Sequence, residues 1–175
     1  MKRLRRVFTR PRLLTLALVY GTSAAALWTG PLQAAAGWAL AGLVEYVVHR
    51  WGFHGFEATR PKLYDALHGA HHRLPDDASR RAVPLTTTAP LAGLAGLVLP
   101  SGVCAGLLLG YLGFEGAHAL WHTRTRLPGP LRRLRAHHMR HHFGQPDRAF
   151  GVSTRLWDRL LRTMPGRARE EGACL

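Results

Sequence analysis

The apolar residues of this chain are gathered into two long uncharged runs. Leu13 to Val44 and Ala82 to Phe114 contain no Asp, Glu, Lys or Arg over 32 and 33 residues. As one straight helix, either run would measure about 48 Å against a hydrocarbon core of about 30 Å. Each is interrupted near its middle, by Thr29-Gly30-Pro31 and by Leu99-Pro100-Ser101-Gly102. Gly and Pro end helices and open tight turns. The pattern predicts two hairpins, with helices at about 13–28, 32–49, 84–99 and 102–122. The expected fold class is all-α: an integral membrane protein with four transmembrane helices in two hairpins.

Charge gives this frame a direction. All 24 Lys and Arg lie in 2–12, 50–81 and 124–169, and neither hairpin turn carries one. Positive segments stay on the cytoplasmic side. The whole chain, 1–175, then reads as a single multi-pass membrane domain. It has a basic tail, helical at the interface (1–12), hairpin one (13–49), a cytoplasmic insert (50–81), hairpin two (82–122) and a cytoplasmic cap and tail (123–175). A net charge of +14 also draws such a chain to anionic headgroups. Nucleic acid is the rival partner for so basic a sequence, but a soluble binder has no use for two long uncharged runs, so none is expected. Met1-Lys2-Arg3-Leu4-Arg5-Arg6, an apolar run and Ala24-Ala25-Ala26 also resemble a cleavable signal. Cleavage would leave three spans and send the histidine clusters to opposite faces, so an uncleaved first helix is the expectation. Cys104 and Cys174 form neither a disulfide framework nor a Cys-rich metal site.

Histidine carries the chemistry. Ten of the 11 histidines fall into four clusters: His49-x4-His54, His68-x2-His71-His72, His118-x3-His122 and His138-x2-His141-His142. Side chains three or four apart share a helix face, so each x2-His-His box is expected to point one way. His49 and His54, five apart, would diverge by about 140° on a regular helix; Gly52 and Gly55 suggest that the helix unwinds there to reunite them. Crowded, buried imidazoles resist protonation, and neutral imidazole ligates iron, zinc and copper. Ten nitrogens suit two ions with roughly four to six ligands each. A nearly all-nitrogen set points to a pair of iron ions, with zinc able to replace them in a purified sample. No catalytic group beyond the metal ligands is expected. Metal-bound imidazoles usually pass their second N–H to a carboxylate or carbonyl, and Glu45, Asp65 and Glu115 each lie within about a turn of a cluster. His137, beside His138 but on another face, is expected to be solvated or to meet lipid headgroups.

These residues resemble the fatty acid hydroxylase superfamily, which includes sterol desaturases and carotenoid ring hydroxylases. The likeness runs from about Glu45 to Thr163 and is closest to fatty acid 2-hydroxylases. It rests on His49-x4-His54 after Glu45-Tyr46, on His68-Gly-Ala-His71-His72 leading to Pro75, Asp77 and Arg80 or Arg81, then Pro84, and on Phe150-Gly151-Val152 followed by Leu156-Trp157-Asp158. The His118-x3-His122 spacing also suits that branch, since carotenoid ring hydroxylases tend to have one more residue there. The resemblance implies that the ten clustered histidines bind two iron ions that activate O2 and hydroxylate a lipid C–H bond, on a fatty acyl chain and possibly at C2. A lipid would enter between the helices, its head held by arginines such as Arg50, Arg73 or Arg135. Trp157 would anchor at the interface and Asp158 would meet the basic tail. Some relatives carry an N-terminal cytochrome domain; here about 12 residues precede the first helix, so a separate ferredoxin, cytochrome or reductase is expected to supply electrons. A carotenoid or sterol enzyme of the same superfamily and a non-enzymatic metal-binding membrane protein stand as alternatives.

Overall fold

The computed structural model describes residues 11–166, and these are helical with no strand among them. Apart from Pro11 and Arg12, the basic tail expected at 1–12 lies outside the described residues, as does Cys174. The first hairpin is α1 (Pro11–Ala26) and α2 (Pro31–Val47). Gly30 turns between them at φ 148°, a left-handed conformation that glycine adopts without penalty. Pro31 then starts α2 with a preset φ and no orphan N–H.

Seven further α-helices follow among the described residues. In the insert, α3 (Phe56–Thr59), α4 (Pro61–Tyr64) and α5 (Ala70–Arg73) are single turns. The second hairpin is α6 (Leu85–Val98) and α7 (Ser101–Trp121), divided at Pro100. A cap follows, with α8 (Gly129–Phe143) and a short α9 (Leu156–Leu160). The four long helices fall within a few residues of the ranges that the apolar runs and their breakers predict.

α7 is the central post. It packs along α2 and against α1. Gly102, Gly106 and Gly110, spaced by four, face α2, and a Cβ added at Gly106 would lie 2.0 Å from the Ala34 carbonyl oxygen. Gly37 answers from α2, where a Cβ would come 2.0 Å from the Val103 carbonyl. Small residues on both helices thus let the backbones touch, as in membrane helix pairs. Leu16, Tyr20 and Ala24 of α1 pack on Cys104, Ala105 and Leu108 of α7. α6 buries none of its residues, and Leu97 is 84% exposed. α7, at 21 residues, is the one described helix long and apolar enough by itself to cross a bilayer; α1 is a shorter apolar helix.

Candidate metal centre

The first histidine pair sits on a widened helix. α2 runs into a π-helical turn at Val48–Phe53, where the His54 N–H donates to the His49 carbonyl at 3.1 Å. A π turn closes between residues five apart. This underwound turn, which contains Gly52, brings the two rings together, centroids 5.2 Å apart, as the local unwinding expected there would. A second π turn, Asp65–Gly69, delivers His68 ahead of α5.

All ten clustered histidines meet where the hairpins reach the insert and cap, and they divide into two groups of five. His49, His54, His68, His72 and His141 form one; His71, His118, His122, His138 and His142 form the other. Within each group the ligand-capable nitrogens lie within 4.8 Å of one another. The expectation that each x2-His-His box points one way is corrected here. His71 and His72 are consecutive, hence about 100° apart on a helix, and they face different groups. His72 Nε2 lies 2.9 Å from His68 Nε2, while His71 Nε2 lies 3.1 Å from His142 Nε2. The second box divides the same way: His142 stays with His138 at 3.1 Å, and His141 crosses to His72 at 3.1 Å. Each group thus combines one histidine pair with two members of one box and one of the other. The groups abut at His72 and His142, whose rings stack with centroids 4.4 Å apart.

The nitrogens are ready to ligate. Burial, and then neighbouring imidazoles, hold His68, His71, His138 and His141 well below the usual histidine range. Burial, then His54, pushes His72 down to about 3. Neutral imidazoles turned Nε2 to Nε2 at 2.9–3.1 Å place more lone pairs together than their own protons can satisfy. A cation in each group would relieve that conflict, and the donor set, five nitrogens without sulfur or carboxylate, fits a divalent transition metal.

The second nitrogens of three rings are fixed by backbone carbonyls. His49 Nδ1–H donates to Phe150 O at 2.6 Å, His118 to Arg81 O at 2.9 Å and His141 to Arg148 O at 2.8 Å. The three expected carboxylate partners are engaged elsewhere. Glu45 accepts from Val152 N at 2.5 Å, from Ser153 N at 3.0 Å and from the Ser153 hydroxyl. Glu115 accepts from Tyr111 OH at 2.6 Å and Val83 N at 3.2 Å, and Asp65 pairs with Arg73. Glu45 and Glu115 therefore act one step removed, each tethering the segment whose carbonyl receives a histidine.

His137 is corrected as well. It is 3% exposed, and its Nε2–H donates to Asp158 Oδ2 at 2.8 Å. Asp158 is fully buried, and among the described residues it bonds to His137, Thr163 and the amides of Phe150 and Gly151. Of the arginines expected at a lipid head, Arg50 donates to Tyr46 OH at 2.9 Å, Arg73 holds Asp65, and Arg135 donates to Thr123 O and Thr125 O at 3.1 and 2.7 Å. A cavity of about 360 Å³ reaches His68 and His71 past Arg12, Ser79 and Arg80, none of which the sequence singled out for a ligand. Phe53 stacks on His68 at 5.1 Å, and Phe150 lies edge-on to His49 and His141 at 5.7 and 5.5 Å.

Known proteins resemble this chain in sequence and in fold. Residues 34–163 match the family model described as fatty acid hydroxylase. Fatty acid 2-hydroxylase of Homo sapiens is 35% identical across 70% of this chain and 36% of its own length. Dihydroceramide fatty acyl 2-hydroxylase FAH2 of Arabidopsis thaliana is 33% identical across 71% of this chain and 56% of its own. A solved structure of full-length scs7p, with only the hydroxylase domain visible, matches with a TM-score of 0.72 at 28% identity, covering 88% of this chain and 64% of that one. The matched region thus spans about a third of the human relative and about half of the plant one.

Proposed function

The chain belongs to the fatty acid hydroxylase family, and from that premise we propose that it is a membrane oxygenase that hydroxylates a lipid acyl chain, at C2. Its four long helices cross the bilayer and act with the cap as one membrane domain, the histidines on the cytoplasmic side. The exposed apolar faces support this: Leu91, Leu94, Leu97 and Val98 on α6, and Leu32 and Trp38 on α2, suit lipid better than water. The observation that carries the reading is the pair of abutting five-histidine groups.

Each group holds one iron ion, the first through His49, His54, His68, His72 and His141, the second through His71, His118, His122, His138 and His142. When bound, the iron pair supplies the redox chemistry that activates O2 toward an unactivated C–H bond. In balance, one C–H, one O2, two electrons and two protons give one alcohol and one water. The protein's own part is positional. Carbonyls of Arg81, Arg148 and Phe150 aim three imidazoles, while Phe53 and Phe150 keep water from the first group. The polar end of the lipid rests in the cavity beside Arg12, Ser79 and Arg80, and its chain runs toward the helices. Electrons come from a carrier protein with an acidic surface, met by the outward face of α8, where Arg132, Arg133 and Arg140 are exposed beside Phe143. Charge complementarity of this kind steers association.

Lipid extraction from cells with and without the chain tests the reading. Acyl chains heavier by one oxygen, with the hydroxyl at C2, are expected only with the intact protein. Oxygen found on carotenoids or sterols instead would overturn the substrate. Iron-loaded protein that oxidises no lipid when given a reductant would overturn the activity.

A further inference from the structure

Outside the two five-histidine groups, His137 and Asp158 form a buried polar pair among the described residues. Asp158 is buried completely, and its two oxygens take four donors. Oδ1 accepts from Phe150 N at 3.0 Å and Thr163 Oγ1 at 2.7 Å; Oδ2 accepts from Gly151 N at 2.8 Å and His137 Nε2 at 2.8 Å. Glu45 takes the next two backbone N–H groups, those of Val152 and Ser153. Four consecutive amides, 150–153, are thus gripped by two carboxylates from different elements. The same loop returns carbonyls to its surroundings: Phe150 O receives His49, and Val152 O receives Trp121 Nε1 at 3.1 Å. Just upstream, Ala149 sits at φ 58°, strained for a residue with a side chain, and Arg148 O receives His141.

We propose that His137 and Asp158 are positioning residues for the first histidine group: the pair locks α8 to the 148–153 loop, and the loop carbonyls fix the ring planes of His49 and His141. This rests on the reading that the groups hold metal ions. The pair contributes no ligand. His137 Nε2 is committed to Asp158, away from both groups, so its effect passes through the loop. That makes the first group the dependent one. The second takes its one carbonyl anchor, for His118, from Arg81 in a different segment.

Cobalt(II) binding to the full chain in detergent provides the test, because cobalt absorption reports ligand geometry directly. Asp158→Asn preserves size but replaces one acceptor by a donor. It is expected to weaken the first of two cobalt ions by about 10- to 100-fold, the usual effect of losing an outer partner of a metal ligand, and to alter that ion's spectrum while sparing the second. His137→Gln retains an N–H donor and is expected to keep the wild-type spectrum; His137→Leu is expected to change it as Asp158→Asn does. Wild-type affinity and spectrum in both Asp158→Asn and His137→Leu would overturn the proposal, as would equal weakening of both ions. Should His137→Leu fail to fold, Asp158→Asn and His137→Gln decide the matter. A wild-type chain that takes up no cobalt overturns the metal-site reading itself, and this inference with it.

Discussion

His72 Nε2 lies 3.1 Å from His141 Nε2, although 69 residues separate them, while His71, next in the chain to His72, faces His142 at the same 3.1 Å. Neighbours in sequence therefore serve different groups, and ligands of one group come from distant segments. Loss of one histidine should empty one group and leave its twin largely intact. His141→Ala and His71→Ala are each expected to lower bound metal from two ions toward one and to abolish lipid hydroxylation. Metal analysis of the purified variants checks this, and two retained ions would overturn the assignment of the altered residue.

Glu45 anchors the loop that orients His49. Removing its carboxylate leaves the Val152 and Ser153 amides without their acceptor. An unsatisfied buried donor costs about 1–3 kcal/mol, so Glu45→Ala should destabilise the chain by at least about 2 kcal/mol. Denaturation of the metal-free protein in detergent measures the cost. An unchanged midpoint would mean that the loop is held without Glu45.

The contact between α2 and α7 leaves no space for a methyl group at Gly106, where the Ala34 carbonyl already occupies the Cβ position. Overpacking of this kind costs about 1–3 kcal/mol, and Gly106→Ala should lower the melting temperature accordingly. Gly21 in α1 supplies the contrast, since nothing lies within 4 Å of a Cβ there. Gly21→Ala should be neutral or stabilising, by up to about 1 kcal/mol from helix propensity. Equal responses of the two variants would contradict the packing described.

Acid should unfold the metal-free protein. His68, His138 and His141 are held well below the ordinary histidine value of 6.5, and His72 is pushed down to about 3. Between the folded values and 6.5 the unfolded chain binds more protons than the folded one, so stability falls as pH falls. Each such histidine costs up to about 1.4 kcal/mol per pH unit in that window. Melting temperatures at pH 7, 6 and 5 should decline steadily. A flat profile would indicate that these rings are not enclosed.

Much was legible from covalent order alone. The uncharged runs Leu13–Val44 and Ala82–Phe114, with breakers at Gly30-Pro31 and Pro100, announced four long helices; histidine spacing placed two clusters at helix ends and two in the segments that follow the hairpins. The sequence could not divide ten histidines between two groups, because the sorting depends on how α5, α8 and the two π turns face one another. Nor could it name what holds the rings. Phe150, Arg148 and Arg81 offer carbonyls, which every residue has, so side-chain identity pointed instead to Glu45, Asp65 and Glu115. His137 was misplaced for a related reason: four residues after Arg133, it lies about 40° from it on α8, at the edge of the arginine-bearing side, and only the buried Asp158 on α9 reveals that this edge is inside. Composition and period, in short, decide what one helix can be; the partner of each polar atom is decided by packing between segments far apart in the chain.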